Sequence, residues 1–382
     1  MTSCTSISRL RLSRGVSLVE LMVGVAIGLI GVVAIFQAVS VWTKHTQTTS
    51  SGGDAQVAGT LALFNIERDL KLAGHGFGRA ASPIMGCNVQ TTVPGVINLR
   101  PVEIVASGPV GSPDTINVFY GDSSFFVDEG IFINSTATTK KLPRRGGYRP
   151  GDRAVVAGVV AASAPPACQL IEITDDTDPN GWVAHNVGPY VSFYGAASAA
   201  GALNTASSPA FGTGKIYNLG PAPRYDVWRI DNNRGVLSQS DLISGAPAAQ
   251  IAEGVINMKA EYGYDTNGDG KIANAEWVAV LPVGADWTRV LAIRVAVLVR
   301  SRQFERNGDP AASGTAAITP SIANPRYFAI PGPAKNFLMT NVDGGADGFG
   351  DANADPNNWR YYRYRVYERV IPLRNMLWGV YG

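Results

Sequence analysis

The sharpest chemistry in the sequence lies at Asp265-Thr-Asn267-Gly-Asp269-Gly270-Lys271-Ile-Ala273-Asn-Ala-Glu276. Oxygen-bearing side chains at alternate positions, then a glycine and a closing glutamate, fit the D-x-[DN]-x-[DN]-G-x5-E pattern of a calcium loop. Calcium needs six or more oxygens around one point. Asp265, Asn267 and Asp269 offer side-chain oxygens, Lys271 its carbonyl and Glu276 two oxygens, while Ala273 leaves a place for water. A strand-like pattern enters the loop and no helix precedes it. The expectation is therefore an isolated calcium loop that stiffens a connection, with calcium the one cofactor implied. The competing reading is an ion-free turn of the kind Asp and Gly favour.

Other chemistry is sparse. His45, His75 and His185 fall in no metal or nucleophile pattern, and no P-loop, GxSxG or CxxC occurs, so an enzyme is not expected. Asp343, Asp347, Asp351 and Asp355 recur every four residues in a Gly-rich stretch that matches no ligand template and reads as a solvated loop. Residues 174–179 read as a turn. Arg360, Arg363, Arg365 and Arg369 interleave with Tyr361, Tyr362, Tyr364 and Tyr367, a pattern able to stack on single-stranded nucleic acid. Strand alternation with arginines outward explains it at lower cost. Removing Arg9, Arg11 and Arg14 from the 32 basic residues leaves 29 against 30 acidic ones, a balance that argues against nucleic acid as a partner. Of three cysteines, Cys4 lies in the basic N-terminal segment. Cys87 and Cys168 remain as an even pair without metal-ligand spacing, expected to form one disulfide in an oxidising compartment, the alternative being two separate buried thiols.

The element that must place this chain is written at its N-terminus. A short segment with three arginines and no acid is followed by 23 uncharged residues from Leu21 to Thr43. At about 1.5 Å per residue, that run crosses a bilayer core. The arginines keep the leading segment cytoplasmic and put the bulk of the chain outside. Glu20 sits at the edge of the apolar run, where a carboxylate is costly and calls for a specific partner. A plain secretory signal or uncleaved anchor, cut near Ala38–Ser40 if at all, does not account for the spacing of Gly15, Glu20 and the apolar run.

These residues resemble the type III signal of type IV prepilins. The resemblance implies cleavage after Gly15 by a prepilin peptidase and methylation of the new terminus at Val16. It also implies pairing of Glu20, the fifth mature residue, with the amine of a neighbouring subunit. Val16 stands where that family usually has Phe. Farther along, several segments in order resemble the PilW family of minor pilins: Asn65–Gly74, Tyr225–Arg229, Glu253–Val255, Glu261–Asp265, Arg300–Arg302 and a terminal Arg-rich strand to Asn375. The implied function is a minor pilin in the priming or tip complex of a type IV pilus, supporting adhesion and motility. Implied partners are other minor and major pilins and a PilY-type tip adhesin. The implied location is the inner membrane, single-pass with a periplasmic globular domain, and later the surface pilus. The alternatives are a J-type pseudopilin of type II secretion, or a membrane-anchored calcium-binding or adhesive domain that never polymerises.

The expected fold class is α+β: a long N-terminal helix, its first half transmembrane, packed on a large antiparallel β-rich domain. The expected divisions are a leader at 1–15, an apolar half-helix at 16–43, an amphipathic half at 44–75 and a β-rich domain at 76–382. A subdivision is expected near 195–214, a long Ala/Ser/Gly-rich loop. Ser50–Gly53 reads as a weak point in the helix, Asp54 as the cap of a second stretch, and Gly74 as its stop. Leu63, Ile66, Leu70 and Ala73 mark the packed face, with Glu67, Arg68, Asp69 and Lys71 in solvent. Strands are expected at 102–105, 115–120, 153–160 and 168–173. Alternation predicts two more, with Ile256, Met258, Ala260, Tyr262 and Tyr264 on one face of 255–264, and Leu291 to Val299 alternating on 290–300.

Overall fold

A computed structural model describes residues 17–81, 84–124, 129–144, 146–158, 167–195, 199–205, 209, 211–231, 234–302, 325–328, 335–339, 342, 359 and 362–381. The chain falls into two compact units, Met1–Gly52 and Gly53–Gly382. The architecture is α+β, as expected: an N-terminal helix and a large unit of mainly antiparallel sheets.

Helix α1 runs from Leu18 to Leu72. The break expected at Ser50–Gly53 does not occur, and Asp54 lies within the helix instead of capping a second one. Two glycines cost a helix about 1 kcal/mol each. No proline lies between residues 18 and 72, and helical flanks propagate through such a spot cooperatively. Gly74 does end the helix: its φ of 78° suits glycine, and its N–H donates to the Phe119 carbonyl. The ordered helix therefore stops at Leu72, short of residue 75.

Within the larger unit, a five-stranded antiparallel sheet runs in the order Ala249–Glu253, Val236–Asp241, Arg224–Asp231, Asp114–Tyr120, Val102–Ala106. A four-stranded antiparallel sheet runs Trp277–Val278, Val255–Tyr264, Val290–Arg300, Tyr364–Pro372. A six-stranded sheet, built around Ala167–Glu172, Arg153–Gly158 and Gly214–Gly220, contains one parallel pair, Asn88–Gln90 with Ala167–Glu172. The stretch expected as a bare loop near 195–214 holds a short strand, Ala199–Ala200, paired with Pro189–Tyr190, and buries Leu203 and Asn204.

The main core joins one face of α1 (Ala55, Ala62, Leu63, Ile66, Leu70) to the inner faces of the sheets. The Val290–Arg300 strand is buried on both faces: Ile293, Val295, Val297 and Val299 enter the main core, and Ala296 and Leu298 a separate cluster with Tyr327, Phe337 and Tyr364. Ile256 departs from the expected alternation. An irregularity in register between Val255 and Asn257 puts Val255 with Met258, Ala260 and Tyr262 in the main core and turns Ile256 to the other cluster.

Close approach of α1 to the Tyr364–Pro372 strand depends on Gly59, where an added Cβ would run into the Tyr367 ring. Helix propensity alone would make Gly59→Ala stabilising by about 1 kcal/mol. The ring contact opposes that gain, and we expect urea unfolding to show a net loss of up to about 2 kcal/mol, the usual cost of overpacking less the propensity gain.

Candidate functional site

The first half of α1 begins at Leu18, with the Leu21 N–H bonded to the Ser17 carbonyl and Glu20 in the first turn, the end of a helix that favours negative charge. From Leu18 to Thr43 the helix has a mean hydropathy of 2.6 and is long and apolar enough to cross a membrane. Leu29, Ile30, Val32 and Val33 point to different sides and are all exposed. A helix apolar all round demands an apolar surrounding on every side. Its few hydroxyls need nothing from that surrounding, since Ser40 donates to the Gln37 carbonyl (2.9 Å) and Thr43 to that of Val39 (2.6 Å). Gly15 and Val16 lie outside the described residues.

The 265–276 loop brings the two ends of the calcium pattern together and leaves its middle apart. Thr266 donates to Glu276 Oε1 through both N–H (2.8 Å) and hydroxyl (2.5 Å), and the Ala273 N–H takes Oε2 (2.8 Å). Those bonds, the Thr266 hydroxyl first, hold the Glu276 carboxyl below the usual range. Asp265 accepts the N–H groups of Gly268, Asp269 and Gly270. Asn267 and Asp269 are exposed and bonded to each other (3.1 Å), and Lys271 is exposed. Among the described residues no three His, Cys, Asp or Glu side chains converge as a metal would require. These hydrogen bonds close the turn from within the loop. The expected turn at 174–179 has the same character, with Asp175 accepting from Thr177 and Asp178 from Asn180. Asp343, Asp347, Asp351, Asp355, Arg360 and Tyr361 lie outside the described residues. Arg363, Arg365 and Arg369 are exposed and Tyr362 and Tyr364 buried, which is strand alternation.

Cys87 and Cys168 form the expected disulfide, closing 81 residues and tying the start of the six-stranded sheet to its middle. The bond constrains the unfolded chain by about 4 kcal/mol on a loop-entropy basis.

Three buried polar groups escape the sequence reading. Asp69, expected in solvent, is fully buried at the seat of α1, accepting from Trp228 Nε1 (3.2 Å) and Arg68 Nε (3.1 Å). Its spacing from Ala62, Ile66 and Ala73 is the signal that puts it on the packed face. Burial, reinforced by the nearby Asp226 carboxylate, raises the Asp69 pKa to about 6. Asp226 is itself held by Tyr120, Arg224 and Gln239. Arg294 and Glu261 stand opposite each other in the strand register and form a buried ion pair, which Lys335 joins and the Trp277 and Phe328 rings flank. Lys140, fully buried, meets His185 Nε2 at 2.9 Å, and desolvation lowers the lysine pKa to about 8.

Two outcomes follow. A carboxyl whose pKa is higher folded than unfolded favours the fold when protonated, so its contribution is full at low pH and lost as pH rises toward 6. Wild-type protein in detergent should lose about 2–3 kcal/mol from this group between pH 4 and 7. Asp69→Asn, read against wild type at each pH, should remove that slope. For the loop, about 5 mM calcium should move Tm by less than about 1 °C, whereas an extracellular-type site would add roughly 1–2 kcal/mol. Asp265→Asn should cost about 2 kcal/mol with or without calcium.

No curated protein and no solved structure matches the chain. A family model does: PilW, described as type IV pilus-assembly protein W, over residues 231–375. That span takes in the four-stranded sheet, the 265–276 loop and the strand that carries Tyr367 and Arg369 against α1. Over this span the chain is similar to the PilW family of type IV pilus-assembly proteins.

Proposed function

We propose that this protein is a minor pilin: a structural, non-catalytic subunit held in the inner membrane by Leu18–Thr43 and built through that segment into a type IV pilus. The carrying observation is a helix of 26 residues, apolar on every side and buried on none, at the head of a chain whose sheet region matches a pilus-assembly family. Within a bilayer the helix is soluble as a monomer. Within a filament the same surface packs against other subunits' helices, so the segment serves both states.

Glu20 supplies the register. A carboxylate in an apolar bundle and a newly freed amine are each expensive alone, and removing one partner leaves the other uncompensated. Cleavage after Gly15 and methylation at Val16, done by a prepilin peptidase, would create that amine. The globular unit is extracytoplasmic in this reading, in keeping with its disulfide. Its place is among the priming or tip subunits, beside other minor pilins and a PilY-type adhesin, in support of adhesion and motility.

Mass spectrometry of the N-terminus from native membranes should find a chain starting at methylated Val16. Glu20→Ala should lower recovery in sheared pili by about tenfold or more, the scale for a lost buried partner, while leaving membrane levels unchanged. A chain retaining residues 1–15, or undiminished incorporation of the alanine variant, would overturn the proposal. Pili lost in a deletion strain with secretion intact distinguish a pilus subunit from a type II secretion pseudopilin.

A further inference from the structure

The second half of α1 has two apolar faces, and only one is covered. Opposite the packed residues runs a second row at intervals of three and four: Val57 (68% exposed), Leu61 (43%), Phe64 (61%), Arg68 and Leu72 (42%). Scattered apolar exposure is ordinary, but a helical stripe of it marks a docking face.

That stripe borders a groove on the globular unit. Val57 and Leu61 form one wall of a 290 Å³ depression whose other wall includes Ile251, Glu253, Arg300 and Arg302. The depression opens through Arg300 and Arg302 into one of 380 Å³ and through Arg234 and Gln250 into a third of 370 Å³ that reaches Arg229. Four arginines therefore line one continuous groove, against Asp231 and Glu253 inside it and Asp54 at its α1 end. Arg302 is ion-paired with Glu253 and Arg300 lies over the Tyr362 ring, so the cations are held in place at the rim of the stripe. Four arginines against three acids leave the groove a net +1 beside an apolar row, which favours a partner of opposite sign.

We propose that this surface seats an amphipathic helix of a different polypeptide, apolar along one stripe and acidic beside it. A second copy of this chain fits less well. Its own helix over residues 44–72 carries three acids and three bases, with Asp69 buried and Glu67 tied to Lys71 and Arg369. It would bring as many cations to the arginines as anions. The partner chemistry makes this an orienting contact: the apolar stripe supplies adhesion and the arginines choose who docks and in which register. The inference rests on the filament reading in that α1 is what brings a neighbour's helix alongside.

The test uses the full-length chain in cells, with a photo-crosslinking side chain placed at Leu61 and, in a separate strain, at Leu29. The Leu61 adduct should map by mass spectrometry to a helical segment of another protein with at least two Asp or Glu residues within about one turn of the crosslink. Its yield should fall about tenfold in the Arg234→Glu/Arg302→Glu double variant, with the Leu29 adduct unchanged. In isolated membranes of unmutated protein, the Leu61 yield should also fall steeply between roughly 50 and 500 mM salt, a reading that needs no variant to fold. Leu61 adducts to a second copy of this chain, to lipid alone, or indifferent to both salt and charge reversal would overturn the docking proposal while the Leu29 adduct stood. Loss of adducts to protein at both positions would instead sink the filament reading on which it rests.

Discussion

An apolar cylinder cannot be left in water, and the first half of α1 is one. Most amphipathic helices solve the problem within their own chain by turning one stripe to the core. Leu18–Thr43 has no polar stripe to leave outside, so no rotation would help. The solution has to come from a bilayer or from other helices. Its Ser40 and Thr43 hydroxyls already bond to the helix backbone, so they add little penalty for entering either, and Glu20 is the group that still needs a partner.

The second half of α1 is held by different means. The helix comes close to the Tyr364–Pro372 strand because Gly59 leaves room for the Tyr367 ring, and Ala62, Leu63, Ile66 and Leu70 fill the main core. Asp69 is the exception within this face. Its burial costs stability when ionised, and Trp228 and Arg68 offset only part of that cost, which is why burial leads the upward shift in its pKa. A hydrophobic residue of similar size would hold the helix more cheaply. What the carboxyl adds is direction: the Trp228 Nε1–H has one acceptor at that point, so the helix has a preferred rotation on the sheet.

Periodicity carried the sequence reading a long way. The apolar run, the stop at Gly74, the Val290–Arg300 strand and the Cys87–Cys168 pair all follow from patterns within a few residues or from parity. The failures are of three kinds. At Ser50–Gly53 local propensity pointed to a break, but two long helical flanks without proline outweighed it. At Asp69, Glu261, Arg294 and Lys140 residue type pointed to solvent, and partners distant in sequence, such as Trp228 and His185, overrode it. Ile256 shows a third limit, since one irregularity in register turns a side chain to the opposite face without a sign in the alternation itself. The loop at 265–276 meets a ligand pattern residue by residue, and its Asp265 and Glu276 carboxylates accept the loop's own N–H groups.

The PilW match covers residues 231–375, and α1 makes contact with that span. Three contacts along α1 reach into the matched span: Gly59 against Tyr367, Glu67 with Arg369, and the carbonyls of Leu72 and Ala73 receiving the Asn375 side-chain amide. They advance together along helix and strand, so the matched region forms part of the surface on which the second half of α1 lies. The segments between residues 130 and 216 lie outside the match; one side of them closes a separate core around Phe132, Ile171, Phe211 and Ile216, while Val155, Ala157, Cys168 and Leu170 join the main core. The matched strands cannot shift register without moving Tyr367 and Arg369 away from Gly59 and Glu67. The constraint that α1 must be held at one rotation therefore falls partly on the matched strands and partly on Trp228, just outside them.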